Sequence, residues 1–241
     1  MARPGIGNSV EGVHAVTAAL VAGRVEQLIV ERSRLDSLQT LITSARDLGV
    51  DMEIVTDVRS HASTDAPQGV VAKCRPIPFA SLEKVVASTT PPAILVLDHL
   101  EDPRNVGALA RSAVAAGIGG LVIPEHKAAP LEATAFKAAA GAFEHLAVAE
   151  VSSIANTVEA LKKLNVWTVG LDADGKQSIF GLALLSEPVA IIVGAEGGGL
   201  SRLVHDRVDV VASIPIHGPV ESLNASVAAA LAVYEVARVR G

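Results

Sequence analysis

The sequence predicts an α/β protein, with a parallel-sheet domain over residues 93–241 preceded by a smaller α/β unit over residues 1–75. Three observations carry this. The runs "AILVLDHL" and "VAIIVGAE" are apolar throughout and of strand length, as in parallel strands buried on both faces. Helical patterns of about ten to fifteen residues alternate with such runs. Half of the 241 residues are hydrophobic, mostly Ala, Val, Leu and Ile, so a sizeable core can form.

In the first unit, "VEGVHAVTAALVAG" predicts a helix closed by Gly23, and "EQLIVE" a short strand. An amphipathic helix in "LDSLQTLITSARDLG", closed by Gly49, precedes the strands "DMEIVT" and "GVVAKC". Residues 76–92 are bracketed by Pro76, Pro78, Pro91 and Pro92 and read as a linker with at most one short helix, near Leu82 to Ala87. From Ala93 the alternation is regular. Strand "AILVLDHL", helix "NVGALARSAVAAG", strand "GLVIP", helix "LEATAFKAAAG", strand "HLAVAEV", helix "SIANTVEALKKLN" and strand "VWTVGLDA" follow one another. Strand "VAIIVGAE", a short helix near Leu200 to His205, strand "VDVVASIPI" and a closing helix complete the chain.

The formal net charge is −6, with residues 1–80 near neutral and the deficit in residues 93–241. That balance argues against coating nucleic acid by bulk electrostatics, but is compatible with a local basic patch that reads a folded RNA. Only six residues are aromatic, too few for a stacking platform. No apolar run is long enough to span a bilayer, and "MARPGIGNSV" lacks the apolar core of a secretory signal. The single cysteine, Cys74, reads as a small hydrophobe at a strand end, and a cytoplasmic location is expected. The seven histidines show no metal-ligand spacing, so no metal and no membrane partner are expected.

Ligands of open parallel sheets bind beyond the C-terminal ends of the strands. Three polar or glycine-rich stretches fall at such ends. In "LDHLEDPRNVGALARSAVAAG", Asn105 is placed to cap a helix, Gly107 permits close backbone approach, and Arg111 is expected to face the same crevice. An arginine among Ala, Leu and Val needs a partner; the plainer reading is a cap followed by a solvated side chain. In "AIIVGAEGGGLSRLV", Gly194, Gly197, Gly198 and Gly199 suggest backbone N–H groups that hold a ligand, without a dinucleotide fingerprint or a phosphate loop. Glu196 there would favour a cationic or hydroxyl-bearing ligand, or would be the exposed acid of a surface turn. In "SIPIHGPVESLNASVAAA", Ser222, Asn224 and Ser226 crowd the start of the last helix, although one capping oxygen suffices. Ser222 and Ser226 would share one helix face. His217, beside Gly and Pro, reads as a loop residue.

Together these stretches resemble the three motifs of the SpoU/TrmH family of RNA ribose 2′-O-methyltransferases, in order and spacing, across residues 93–241. The first unit, with "EGVHAV" and "QGVVAKC", resembles the substrate-binding domain of the subgroup that methylates a guanosine in 23S ribosomal RNA, a small RNA-binding domain similar to ribosomal proteins. The resemblance implies a C-terminal trefoil knot, S-adenosylmethionine as cofactor, a homodimer whose active site lies between subunits, and rRNA as substrate. It implies that Gly194, Glu196, Gly197, Ile214, Leu223 and Ser226 line the cofactor pocket, and that Asn105, Arg111, Glu196, Ser222, Asn224 and Ser226 form the polar, catalytic site. Arg111 would stabilise the developing alkoxide or a neighbouring phosphate as a cation, or take the hydroxyl proton if the site is dry enough. Arg32 and Arg34, which flank a strand end, and Arg24 are the candidates for gripping RNA, with a solvated face as the alternative. Methylation of tRNA or of another rRNA site, and a non-catalytic ribosome-assembly factor, are the competing readings.

Overall fold

The computed structural model describes residues 5–195 and 197–241. The first part of the chain forms β1 (Ser9–Glu11), α1 (Val13–Val21), β2 (Val25–Glu31), α2 (Gln39–Asp47), β3 (Asp51–Val55) and β4 (Val70–Cys74). Its sheet has the order β1-β4-β2-β3, with β4 antiparallel to both neighbours and β2 parallel to β3. Residues 10 and 11, expected to open the first helix, lie instead in β1. Gly12 is the reason: at φ 86 it turns the chain sharply between β1 and α1, a conformation that glycine adopts without strain. Gly23 and Gly49 do close their helices, at φ 67 and φ 68.

A short helix α3 (Leu82–Val86) precedes β5 (Ala93–Leu97), α4 (Pro103–Ala115), β6 (Gly120–Pro124), α5 (Ala133–Ala139), β7 (Ala147–Val151) and α6 (Ile154–Lys163). Then come β8 (Trp167–Leu171), β9 (Gln177–Ser178), β10 (Val189–Val193), α7 (Arg202–His205), β11 (Val210–Ser213) and α8 (Ala225–Arg240). The seven strands form a parallel sheet in the order β7-β6-β5-β10-β8-β11-β9.

Burial on both faces explains why the central strands are continuously apolar. Leu95, Leu97, Leu121 and Ile191 face a core shared with α4, α5 and α8, including Leu109, Phe136 and Val233. Ile94, Val96, Val122 and Ile192 point to the opposite face, against Val85 of α3, Val158 and Leu161 of α6 and Val204 of α7. The helices on the first face pack closely because Gly107 lacks a side chain: a Cβ there would lie 2.4 Å from the Ala135 carbonyl oxygen. The end of α8 is pinned by Arg240, whose guanidinium donates to the carbonyls of Leu185, Pro91, Pro92 and Glu187.

A mostly buried ion pair helps to tie the smaller sheet to this domain. Arg24 donates from Nε to Glu144 Oε2 at 2.8 Å and from Nη2 to Oε1 at 2.5 Å, and also to the Gly7 and Arg75 carbonyls. The guanidinium lies over the Phe136 ring. Among the described residues, no helix is long and apolar enough to cross a membrane and no cluster of three or more His, Cys, Asp or Glu could hold a metal ion.

Candidate active site

The sheet changes direction between β5 and β10. From β5 the order runs outward through β6 and β7, and from β10 through β8, β11 and β9. A crevice at the C-terminal ends of such a pair is where a ligand is expected. A cavity of about 770 Å³ opens to one side of that pair, lined from the ends of β8 (Leu171, Asp172), β10 (Val193, Gly194) and β11 (Ser213, Ile214) and from the segment before α8 (Ser222, Leu223), with no lining residue from β5. Of the expected site residues, Gly194, Gly197, Ile214, Ser222 and Leu223 line it. Glu196 lies outside the described residues.

The glycine loop is built differently from the expectation. Three of its N–H groups bond within the loop: Ala195 donates to the Gly199 carbonyl at 3.0 Å, and Gly198 and Gly199 donate to that of Ala195 at 3.3 and 3.1 Å. The next two N–H groups, of Leu200 and Ser201, are taken by the carboxylates of Asp172 and Asp98 at 3.2 and 2.7 Å. Glycines are needed for this closure. A Cβ on Gly194 would stand 2.0 Å from the Gly199 oxygen, and one on Gly199, at φ 62, would meet Asp172 Oδ2 at 2.6 Å. A Cβ on Gly197 or Gly198 would meet nothing within 4 Å, so this part of the loop borders open space in the cavity.

Ser222, Asn224 and Ser226 divide their tasks. Asn224 caps α8, accepting from Ser226 N at 2.9 Å and from its hydroxyl at 2.6 Å. Ser222 precedes the helix, which starts only at Ala225, so it does not share a helix face with Ser226. It lines the cavity; the Ser226 hydroxyl is turned to the cap. Asn224 also approaches Asn105, its Nδ2 standing 3.5 Å from Asn105 Oδ1. Asn105 is not the cap of α4. Asp102 has that role, accepting from Arg104 N at 2.8 Å with Pro103 at the first helical position, and Asn105 Nδ2 donates to Asp102 at 3.2 Å. An acid at the start of the helix also complements its dipole.

Neither Arg111 nor Asn105 lines this cavity, and the two do not share a face of α4. Six residues correspond to about a third of a turn out of phase, and the exposed face of α4 is Arg104, Ala108, Arg111 and Ala115. Arg111 is exposed, so burial imposes no need for a partner. It borders a second, smaller cavity of about 220 Å³ with Ala18, Gly141 and His145. His217 lies in an exposed loop outside the large cavity.

Of the arginines proposed for RNA, Arg24 is engaged in the Glu144 pair, with only 11% of its side chain exposed. Arg32 and Arg34 are exposed at the end of β2, the stem of Arg34 covering Gly69. Cys74 is buried, and burial pushes its thiol up to about 11, which fits a packing residue and not a nucleophile. Sequence reasoning did not single out Asp98, Asp172, Asp174 or Glu221; the last three line the cavity. A signal was present: both "VLDH" and "GLDA" end an apolar strand in Leu-Asp.

The chain belongs to the SpoU rRNA Methylase family, which matches residues 92–234; residues 9–80 match the RNA 2′-O ribose methyltransferase substrate-binding family. It is 36% identical over 240 residues to the 23S rRNA (guanosine-2′-O-)-methyltransferase RlmB of Coxiella burnetii, covering 96% of each chain. It is also 36% identical over 236 residues to a Staphylococcus haemolyticus protein named for the TrmH family of tRNA/rRNA methyltransferases, covering 95% of this chain and 94% of the other. The fold is that of AviRb from Streptomyces viridochromogenes, crystallised with AdoMet: TM-score 0.80 and 24% identity over 96% of this chain and 90% of that one. A crystallised RNA 2′-O ribose methyltransferase matches with TM-score 0.77 and 27% identity over 96% and 88%.

Proposed function

We propose that this protein methylates the ribose 2′-hydroxyl of a guanosine in 23S rRNA, using S-adenosylmethionine. The observation that carries the reading is the cavity at the C-terminal ends of β8, β10 and β11, whose wall at Ser222, Leu223 and Ala225 runs through Asn224, the partner of Asn105. The match of residues 9–80 to a substrate-binding family supports an RNA substrate, and the RlmB relative supports the guanosine.

The cavity fits the cofactor. Its volume of about 770 Å³ suits a nucleoside-sized ligand. Leu171, Ile214 and Leu223 offer apolar surface to a purine, and Asp172, Asp174 and Glu221 suit a ligand bearing positive charge. The chemistry supplied there by S-adenosylmethionine is a methyl group activated on a sulfonium. In this reading Gly194, Gly197, Ile214 and Leu223 hold the cofactor, with Ser222 as a hydrogen-bonding group on the wall. Asn105 and Asn224 orient the ribose, Ser226 fixes the Asn224 side chain, and Glu196 belongs to the same site. Holding oxygen and methyl at near-attack distance accounts for much of the rate.

Arg111 faces away from its own chain's cavity, which suits a site completed by a second subunit. The exposed side chains Val227, Leu231 and Tyr234 follow one face of α8 and give such a homodimer an apolar contact. Arg111 then acts as a cation on the alkoxide or on a phosphate, since an arginine is very hard to deprotonate. Residues 1–75 act as the RNA-binding domain, with Arg32 and Arg34 as phosphate contacts, residues 76–92 as linker and residues 93–241 as the catalytic domain. The trefoil threading belongs to the same proposal, as does a cytoplasmic location.

The test is methyl transfer from radiolabelled S-adenosylmethionine to unmethylated rRNA and, in parallel, to tRNA. Label entering rRNA with wild-type protein and lost with Arg111→Ala is expected. Label entering only tRNA, or no label despite cofactor binding, would overturn the rRNA assignment.

A further inference from the structure

We propose that Asp98 is the positioning residue of the cofactor loop: from the end of β5 its buried carboxylate fixes the exit of the Gly194–Leu200 turn. This rests on the cavity being the cofactor site.

Asp98 follows β5 directly, and its N–H continues the sheet by donating to Val193 at 2.8 Å. It therefore stands beside the last residue of β10, where the glycine loop departs. Its side chain is fully buried, a costly place for a carboxylate without compensation. Oδ2 accepts from Ser201 N at 2.7 Å. Oδ1 lies 2.8 Å from His99 Nδ1 but has no well-aligned hydrogen bond among the described residues. His99 makes that approach from φ 64, a left-handed conformation unusual for a side-chain-bearing residue. A buried carboxyl and a left-handed backbone residue thus flank one short bond to the loop.

The bond acts with a second one. Asp172, at the end of β8, accepts from the adjacent N–H, that of Leu200, and its own orientation is fixed by Asp174 N at 3.2 Å. Two carboxylates from strands on either side of β10 therefore hold successive N–H groups. They set where the loop re-enters the fold, while Ala195 and Gly199 close it internally. Asp172 is also part of the cavity wall, whereas Asp98 is not. Asp98 acts through the loop alone, so its effect separates from direct ligand contact. Losing it lets Ser201 and the preceding glycines shift, and shifts of an ångström in such a site are costly.

The experiment titrates S-adenosylmethionine and S-adenosylhomocysteine into wild-type protein, Asp98→Ala, Asp98→Asn and Ser201→Pro by calorimetry, with Tm and RNA gel-shift affinity measured alongside. Asparagine keeps an acceptor for the Ser201 N–H. Proline removes that N–H from the other side, at a residue whose φ of −60 suits it. The expected result is a cofactor Kd raised at least about tenfold in Asp98→Ala and Ser201→Pro, mostly restored in Asp98→Asn, with RNA affinity unchanged. If Asp98→Ala fails to fold, the other two variants carry the test. Cofactor binding unchanged in Ser201→Pro, or Asp98→Asn as weak as Ser201→Pro, overturns the inference and leaves the cofactor site standing. Wild-type protein that binds neither ligand overturns both.

Discussion

Asn224 and Asn105, 119 positions apart in the chain, meet at the first turns of α8 and α4, with Asn224 Nδ2 standing 3.5 Å from Asn105 Oδ1. The same Asn224 side chain caps α8, so one residue fixes the helix that borders the cavity and joins it to α4. Asn224→Asp separates these roles. Aspartate caps as well as asparagine, so Tm should stay within a few degrees, while the donor to Asn105 is lost and activity should fall at least about tenfold. Asn224→Ala should lose the activity and, in addition, about 1 kcal/mol of stability. Thermal unfolding and methyl-transfer rates on both variants check this; full activity in Asn224→Asp would remove the pair from the site.

Arg24 and Glu144 form another long-range pair, with side chains only 11% and 5% exposed. Removing one partner strands a mostly buried charge, so Arg24→Ala or Glu144→Ala should each destabilise by about 3 kcal/mol. The double variant should be less destabilised than the two single losses added together. Urea denaturation of the four proteins measures the coupling; strict additivity would show that the pair does not join the smaller sheet to the larger domain energetically.

Glu235 on α8 gives a pH dependence with a definite sign. Arg238 donates to it at 2.6 and 2.7 Å and holds its carboxyl below the usual carboxylate range; burial opposes this, and the Gly181 N–H at 2.7 Å reinforces it. A carboxyl lowered by folding contributes its stability in full above its ordinary value, about 4.3. That contribution disappears as the pH falls through the folded value. Glu235→Gln should therefore narrow the difference in unfolding free energy between pH 7 and pH 3. An unchanged difference would show that the Arg238 bonds carry no linkage.

Much of this architecture is legible in the sequence, and the exceptions have physical causes. β5 and β10 were readable because burial on both faces leaves no polar position in "AILVL" or "VAIIV". β1 was not: Val10, Val13 and Val16 fit a helical spacing, and only the φ of Gly12 separates strand from helix. The glycine loop was visible, but its partners were not. The N–H groups of Leu200 and Ser201 bond to Asp172 and Asp98, which lie 28 and 103 positions away. The spacing of Arg111 from Asn105 carries no shared face, because six residues fall about a third of a turn apart. Ala108 and Arg104, on the same exposed face, show where Arg111 points.

Cys74 should be inert in the folded protein. With its thiol pushed up to about 11 by burial, the thiolate is scarce at pH 8. Labelling with a thiol-specific disulfide reagent should be slow in buffer and rapid in denaturant, the two rates differing by at least about a hundredfold. Fast labelling of native protein would contradict the packing role.

Arg111 distinguishes a cation from a general site residue. Arg111→Lys keeps the charge but not the planar fork, and should lower methyl transfer at least about tenfold, with cofactor Kd unchanged because Arg111 lies outside the cavity wall. A lysine variant with near-full activity would show that charge alone suffices and that the planar fork is not used, and near-full activity of Arg111→Ala would remove Arg111 from the chemistry.

In the proposed reaction the methyl group goes to a ribose 2′-oxygen of guanosine in 23S rRNA. A 2′-O-methyl group leaves no neighbouring hydroxyl to attack the phosphate, so alkaline hydrolysis cannot cut after that nucleotide. The most direct measurement is therefore alkaline digestion of 23S rRNA labelled by this protein, followed by separation of the products. Label is expected in an alkali-resistant dinucleotide that begins with guanosine. Label in ordinary mononucleotides would mean base methylation and would contradict the proposed reaction.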